Sequence, residues 1–303
     1  MKELPIYAPS STELWKTCPL KHYLQRVERL ELRSSRSLLP RIVGSAISEG
    51  VREINEYWKD HGTGATVPPY ILASAKATAV AYLGLETDHV IKAGAVVDTM
   101  VLPSKNSEVC RVIERYHELK PLQGYKVTGV EQTLPNHGNC RLDIVTTTPG
   151  GEVAVIDVKY KANLDEKYRA KTITRYLRSW QFAHYPWAYQ EHSGIPVSLM
   201  YLMLITMRPR FDIQLIPYRV NPDIQRVWLQ SAKVAWQDMY DERQNVRPLT
   251  TAAVHEDAYG PCEMASVCFD YGLDTEQATK GEYVRIPRFD FQTARQLQEK
   301  GLA

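Results

Sequence analysis

Arg141-Leu-Asp-Ile-Val-Thr-Thr-Thr-Pro-Gly-Gly-Glu-Val-Ala-Val-Ile-Asp-Val-Lys159 is the stretch whose reading decides the fold. Two apolar runs flank a Pro149-Gly150-Gly151 turn, the pattern of a β-hairpin. Closing the loop with Thr148 facing Glu152 sets an antiparallel register that puts Asp143 opposite Asp157. Directly opposed residues share a face of the sheet, and side chains alternate faces along a strand. Asp143, Asp157 and Lys159 therefore converge on one face. Two carboxylates that close resist joint ionisation unless a cation sits between them. A divalent metal is the simplest such cation, and carboxylate oxygens suit Mg²⁺. Val153, Val155, Ile156 and Val158 make the second strand apolar enough to be central. A charge there is costly unless paired or metal-bound, and a buried structural Asp–Lys pair is the alternative.

Further elements stand in order around this hairpin. Gly44-Ser-Ala-Ile-Ser-Glu-Gly50 lies upstream on a helix, Glu131 on a preceding strand, and Gln181-x-x-x-Tyr185 on a following helix. Asp…Asp-x-Lys alone is a weak signal, but the ordered set resembles the RecB-like exonuclease branch of the PD-(D/E)XK nuclease superfamily. That branch includes the AddB nuclease domain and the CRISPR-adaptation nucleases, and the resemblance covers roughly the whole chain. It implies an α/β, restriction-endonuclease-like core, with a mixed central sheet flanked by helices. It also implies metal ligands at Asp143, Asp157 and the Val158 carbonyl, catalytic roles for Lys159 and Glu131, and Gln181 and Tyr185 beside the substrate. Two positions depart from the pattern. Ser48 stands where relatives carry a metal-binding histidine, and a hydroxyl is the poorer ligand. Glu49, one residue on, points elsewhere on the helix and reads as an ordinary exposed acid.

The second departure is in the tail. Cluster-bearing relatives join one early cysteine to a late Cys-x-x-Cys-x5-Cys group, whereas this chain has Cys18 and then Tyr259-x-x-Cys262-x5-Cys268. A [4Fe–4S] cluster requires four thiolates. With three in register, the expectation is a remnant, the 245–303 tail packed near the Cys18 segment without a cluster.

The composition is that of a globular chain with a sizeable core: 303 residues, 44% hydrophobic, 24% charged, net charge +2. The whole reads as a single nuclease domain. The net charge says little about partners, but residues 159–178 hold seven Lys or Arg against Asp165 and Glu166. Among them Lys161, Lys171, Arg175 and Arg178 are candidate contacts to a phosphodiester backbone, the bland alternative being a solvated loop. Five cysteines do not make a disulfide scaffold. No secretory pattern follows Met1, and the longest apolar run, Ile195 to Met207, is too short to span a bilayer. A cytoplasmic, reduced setting without a membrane is expected.

Along the chain, a capping-rich start leads into a helix that Pro19 interrupts. Gly44 to Trp58 forms a helix with Ile47, Val51, Ile54 and Trp58 as its core face. Residues 62–124 read as a helical insertion. Tyr125 to Leu134 is a strand, followed by a turn that leaves His137 exposed. After the basic loop come a helix from Tyr176 to Gln190, strands at Val197–Met207 and Phe211–Arg219, and an amphipathic helix from Asn221 to Arg243 marked by Val227, Val234, Trp236 and Tyr240.

The function expected is Mg²⁺- or Mn²⁺-dependent hydrolysis of DNA, single-stranded or at duplex ends. An exonuclease of recombination, repair or end processing, with a recombination or replication protein as a possible partner, fits best. The rivals are a non-cutting nuclease fold that binds nucleic acid or protein, and a defence-type endonuclease.

Overall fold

The structure, a computed structural model, describes residues 6–33, 38–138, 140–245, 256, 257, 260, 261, 264, 267 and 275–300. The chain opens with α1 (Pro9–Thr17). Cys18 is extended, at φ −158°, because Pro19 forces a fresh start, and α2 (Pro19–His22) begins there. β1 (Leu30–Leu32) is followed by α3 (Leu38–His61), which extends the predicted helix at both ends. α4 (Pro69–Lys92) and α5 (Leu102–Leu119) then stack on α3.

A five-stranded sheet follows, in the order β2-β3-β4-β5-β6. Its strands are β2 (Lys126–Leu134), β3 (Cys140–Thr147), β4 (Val153–Asn163), β5 (Leu199–Arg208) and β6 (Asp212–Arg219). The hairpin closes as its turn predicts, with Thr148 N–H donating to Glu152 O at 2.8 Å and Ile144 opposite Ile156. β4 is the central strand, as its apolar sequence requires. Its other edge pairs β5 in parallel, and the remaining ladders are antiparallel.

The β4–β5 crossover carries α6 (Glu166–Leu177) and α7 (Trp180–Ser193). The predicted loop and single Tyr176–Gln190 helix are corrected here. Most of the basic segment is helical, started by Asp165, whose side chain accepts the Lys167 N–H. Ser179, extended at ψ 156°, separates the two helices. α8 (Pro222–Asn245) packs on α1 and α7. It turns Trp228, Ala232, Ala235, Trp236 and Met239 inward, while Val227 and Val234, expected on its apolar face, are exposed.

Among the described residues a core packs against each face of the sheet. Ile156 and Val158 of β4 face α3, α4 and α5, together with Ile47, Val51, Ile54 and Trp58. Val155 faces the opposite layer with Phe182, Tyr185 and Ala188 of α7. Each large apolar side chain so buried contributes about 1.5–3 kcal/mol. Asp157 and Lys159, in step with Val155, thereby point toward α7.

Candidate active site

β3 and β4 separate at the functional end of the hairpin. The ladder runs from Thr147–Val153 to Ile144–Ile156, and the next step would oppose Asp143 and Asp157. There the Val158 N–H donates instead to Asp143 Oδ2, at 2.7 Å. The carboxylate thus replaces a backbone acceptor and holds the two strands at the edges of a crevice. Asp157 is 1% exposed. Its Oδ1 accepts from Lys159 Nζ at 2.8 Å, whereas its Oδ2 is buried with no hydrogen-bond partner among the described residues.

The electrostatics follow from this crowding. Burial, then the charge of Asp157, raises the Asp143 proton affinity above that of an ordinary aspartate. Burial pulls the Lys159 ammonium down, but Asp157 and Asp143 more than offset it, so its pKa is raised and it keeps its charge. A buried carboxylate oxygen without a donor is expensive, and a hard cation is its natural complement. Two adjacent carboxylates with one such oxygen fit a Mg²⁺-type ion. Among the described residues no three His, Cys, Asp or Glu side chains gather as a complete metal cage. The rest of a coordination sphere would fall to main chain, water and a substrate phosphate, as is usual for Mg²⁺.

Glu131 continues the array. The β2–β3 register places it opposite Asp143, between the pairs Val130–Ile144 and Gln132–Leu142. Its φ is +47°, left-handed backbone that costs a non-glycine residue about 1–3 kcal/mol and clusters at functional sites. Burial first, then Asp143, raises its pKa. A narrow cleft joins Asp143, Glu131 and Val158 to Ser48, Arg52 and Asn55 of α3. Ser48 therefore stands beside the site, with its hydroxyl donating back to Gly44 O at 3.2 Å.

Glu49 needs correction. It is 8% exposed, not an ordinary exposed acid, and accepts from Arg52 Nε at 3.0 Å. A one-residue step does rotate it away from Ser48, but α4 covers that direction too, through Tyr82. Sequence reasoning also missed Arg52, which lines the same cleft, and Arg141, which pairs with Glu131 and Glu49. Arg52 is one turn beyond Ser48, and Arg141 lies two residues before Asp143, so both spacings pointed there.

On the α7 side, Gln181 Nε2 donates to the Tyr185 hydroxyl at 2.8 Å. Tyr185 is buried, and burial, then Asp157 and Asp143, drives its pKa well up. It is thus a neutral hydroxyl within electrostatic reach of the carboxylate pair. His184, on the same helix, is fully buried against Trp187, Trp228 and Trp236, and burial lowers its pKa to about 4. Its Nε2 donates to the His137 carbonyl at 3.0 Å. His137 is accordingly half-buried against Trp187, not the exposed turn residue expected.

The basic segment divides. Arg169 is committed to structure, contacting Glu166, Asp212 and Gln214. Lys171, Arg175 and Arg178 are exposed, and Lys161 lies over the Tyr176 ring at 5.8 Å. Cys18 is half-buried in a small apolar cluster with Leu24, Leu30, Met264 and Val267. Cys262 and Cys268 lie outside the described residues.

A mixed sheet whose central strand carries Asp-x-Lys midway along it, with a second aspartate near it across a splayed hairpin, defines a nuclease core of the restriction-endonuclease type. The family model of the PD-(D/E)XK nuclease superfamily matches residues 7–269, and the chain belongs to that superfamily. No curated protein matches it. Nucleases of this superfamily typically use divalent metals such as Mg²⁺. Among the described residues no helix is long and apolar enough to cross a membrane.

Proposed function

We propose that the protein is a Mg²⁺- or Mn²⁺-dependent deoxyribonuclease, an exonuclease of the RecB-like kind that processes DNA ends in cytoplasmic recombination or repair. The observation that carries this reading is the buried, donorless Asp157 oxygen beside Asp143 and Lys159. Asp143, Asp157 and the Val158 carbonyl would hold the ion. When bound, it lowers the pKa of an attacking water and offsets charge on the phosphate. Lys159, fixed as an ammonium, orients that water and stabilises negative charge as it develops. Glu131 supports the same end of the crevice. Gln181 and Tyr185 position the strand, and Lys161, Lys171, Arg175 and Arg178 take backbone phosphates without reading sequence. A recombination or replication protein is the partner that fits such a role.

The test is incubation of the pure protein with end-labelled single- and double-stranded DNA in Mg²⁺, Mn²⁺ or EDTA. Mononucleotide release that stops in EDTA is expected. Internal cuts at fixed positions would indicate a defence-type endonuclease instead. A second reading, a nuclease fold that binds without cutting, draws on Ser48, whose hydroxyl turns back to Gly44 and not toward the carboxylates. Binding with no cleavage in any metal would establish it.

A further inference from the structure

Arg141 projects from β3 on the same side as Asp143, and its side chain is 55% exposed. Its Nε lies 2.5 Å from Glu131 Oε2, and its Nη1 is 4.0 Å from Glu49 Oε1. Neither approach is a hydrogen bond: Glu131 Oε2 is buried with no hydrogen-bond partner among the described residues. Arg52 provides the contrast, because its Nε makes a 3.0 Å hydrogen bond to Glu49 Oε2. Arg141 is therefore held in ion pairs with two carboxylates while more than half of its side chain stays exposed. Its planar fork of N–H donors matches two oxygens of a phosphate. Both carboxylates that hold it have reasons to release it. Glu49 already has Arg52, and Glu131 sits in strained backbone opposite another carboxylate.

We propose that Arg141 is a phosphate ligand of the site, parked on Glu131 and Glu49 until the backbone of a nucleic acid draws it away. The inference rests on the nuclease reading and adds a residue to it. On substrate arrival the guanidinium exchanges its ion pair with a carboxylate for a bidentate contact to a phosphate beside Asp143. Glu131 then acts as a gate, and the carboxylate competes with the substrate for one cation.

The test is binding of a fluorescent 20-nucleotide single strand in EDTA, by anisotropy, across salt concentrations. Arg141→Gln should weaken binding about 10-fold, the low end for loss of a charged contact. It should also lower the slope of log K against log salt by about 0.7, the value for one phosphate on a single strand. Arg141→Lys should retain the slope and lose part of the affinity, since it keeps the charge without the fork. Glu131→Gln should tighten binding in wild type and do nothing in the Arg141→Gln background. Equal tightening in both backgrounds means that Glu131 acts only by general repulsion, and the exchange is refuted. An unchanged slope in Arg141→Gln overturns the assignment while leaving the nuclease reading intact. Wild-type protein that binds no nucleic acid overturns both. Melting temperatures of the variants within a few degrees of wild type show that a loss of binding is not a loss of fold.

Discussion

Replacing Asp143 by Asn should make the metal-free protein more stable and inactive at once. The amide oxygen can still accept the Val158 N–H that Asp143 Oδ2 takes at 2.7 Å, so the local frame survives. What disappears is a charge that burial and Asp157 both oppose, less the attraction of Lys159 and Arg141. The net effect in the native state is a raised pKa, so the charged form disfavours folding. An unfolded aspartate titrates near 3.9, and each unit of displacement is worth about 1.4 kcal/mol. Asp143→Asn should therefore gain on the order of 1–3 kcal/mol at pH 8. For a chain of this size that is roughly 1.5–5 °C in melting temperature. The sign follows from linkage: a carboxyl with a raised folded pKa favours folding below its unfolded pKa and loses that contribution as pH rises through the folded value. The gain should thus be small near pH 4 and reach its full size at pH 8. Saturating Mn²⁺ should reverse the ranking, because wild type alone acquires the full stabilisation from ligand binding. Differential scanning fluorimetry in EDTA and in Mn²⁺, from pH 4 to 8, reads all of this. A variant less stable than wild type at pH 8 in EDTA, or a gain independent of pH, refutes the reasoning.

Asp157→Ala should abolish cleavage while circular dichroism shows an intact fold, and Lys159→Ala should lower kcat about 10²- to 10³-fold through loss of transition-state charge stabilisation; wild-type turnover in Asp157→Ala would remove the assignment. Replacing Lys167, Lys171 and Arg175 together by Ala should weaken DNA binding and flatten its salt dependence, and an unchanged slope would make α6 a solvated helix only. With a hydroxyl at Ser48, Mn²⁺ should support activity better than Mg²⁺, since it binds oxygen and nitrogen sites more tightly. Ser48→His should lower the metal concentration for half-maximal activity, and a titration showing the same or a higher requirement would count against Ser48 standing beside the metal.

The hairpin was legible because its information is local. Pro149-Gly150-Gly151 fixed the turn, and the turn fixed the register as far as Ile144–Ile156, beyond which the strands part and Asp143 accepts from Val158 N–H in place of pairing with Asp157. β4 declared its central place through its valines and isoleucine. The break between α6 and α7 was harder to see, because the residues from Tyr176 to Ala183 are all helix-compatible and the one breaker, Pro186, lies inside α7. Only Ser179, at the N-cap position of α7, marks the division. Glu49 was misread for a different reason: a helix wheel gives directions but not what lies in each, and α4 comes from a segment whose sequence says little about where it packs. His137 escaped notice because its environment is built by Trp187 of α7, about 50 positions away along the chain. The charge pairs of Arg141 and Arg52 depend on three separate elements converging, and no single window of sequence contains them.

The one parallel seam of the sheet, β4 against β5, governs the order in which this protein can be built. β3 and β4 can zip through a tight turn as soon as both exist, whereas β5 must wait for α6 and α7 to be made and folded back. Long-range parallel pairing carries a loop-closure cost before any contact rewards it. Until then Asp157 sits on a strand whose β5 edge is unpaired, with Asp143 on the neighbouring β3. Asp157 becomes buried only when α7 and β5 close over β4. A half-made chain holds the acidic residues without the burial that raises the proton affinity of Asp143, so the finished electrostatics of the crevice arrive with that docking step.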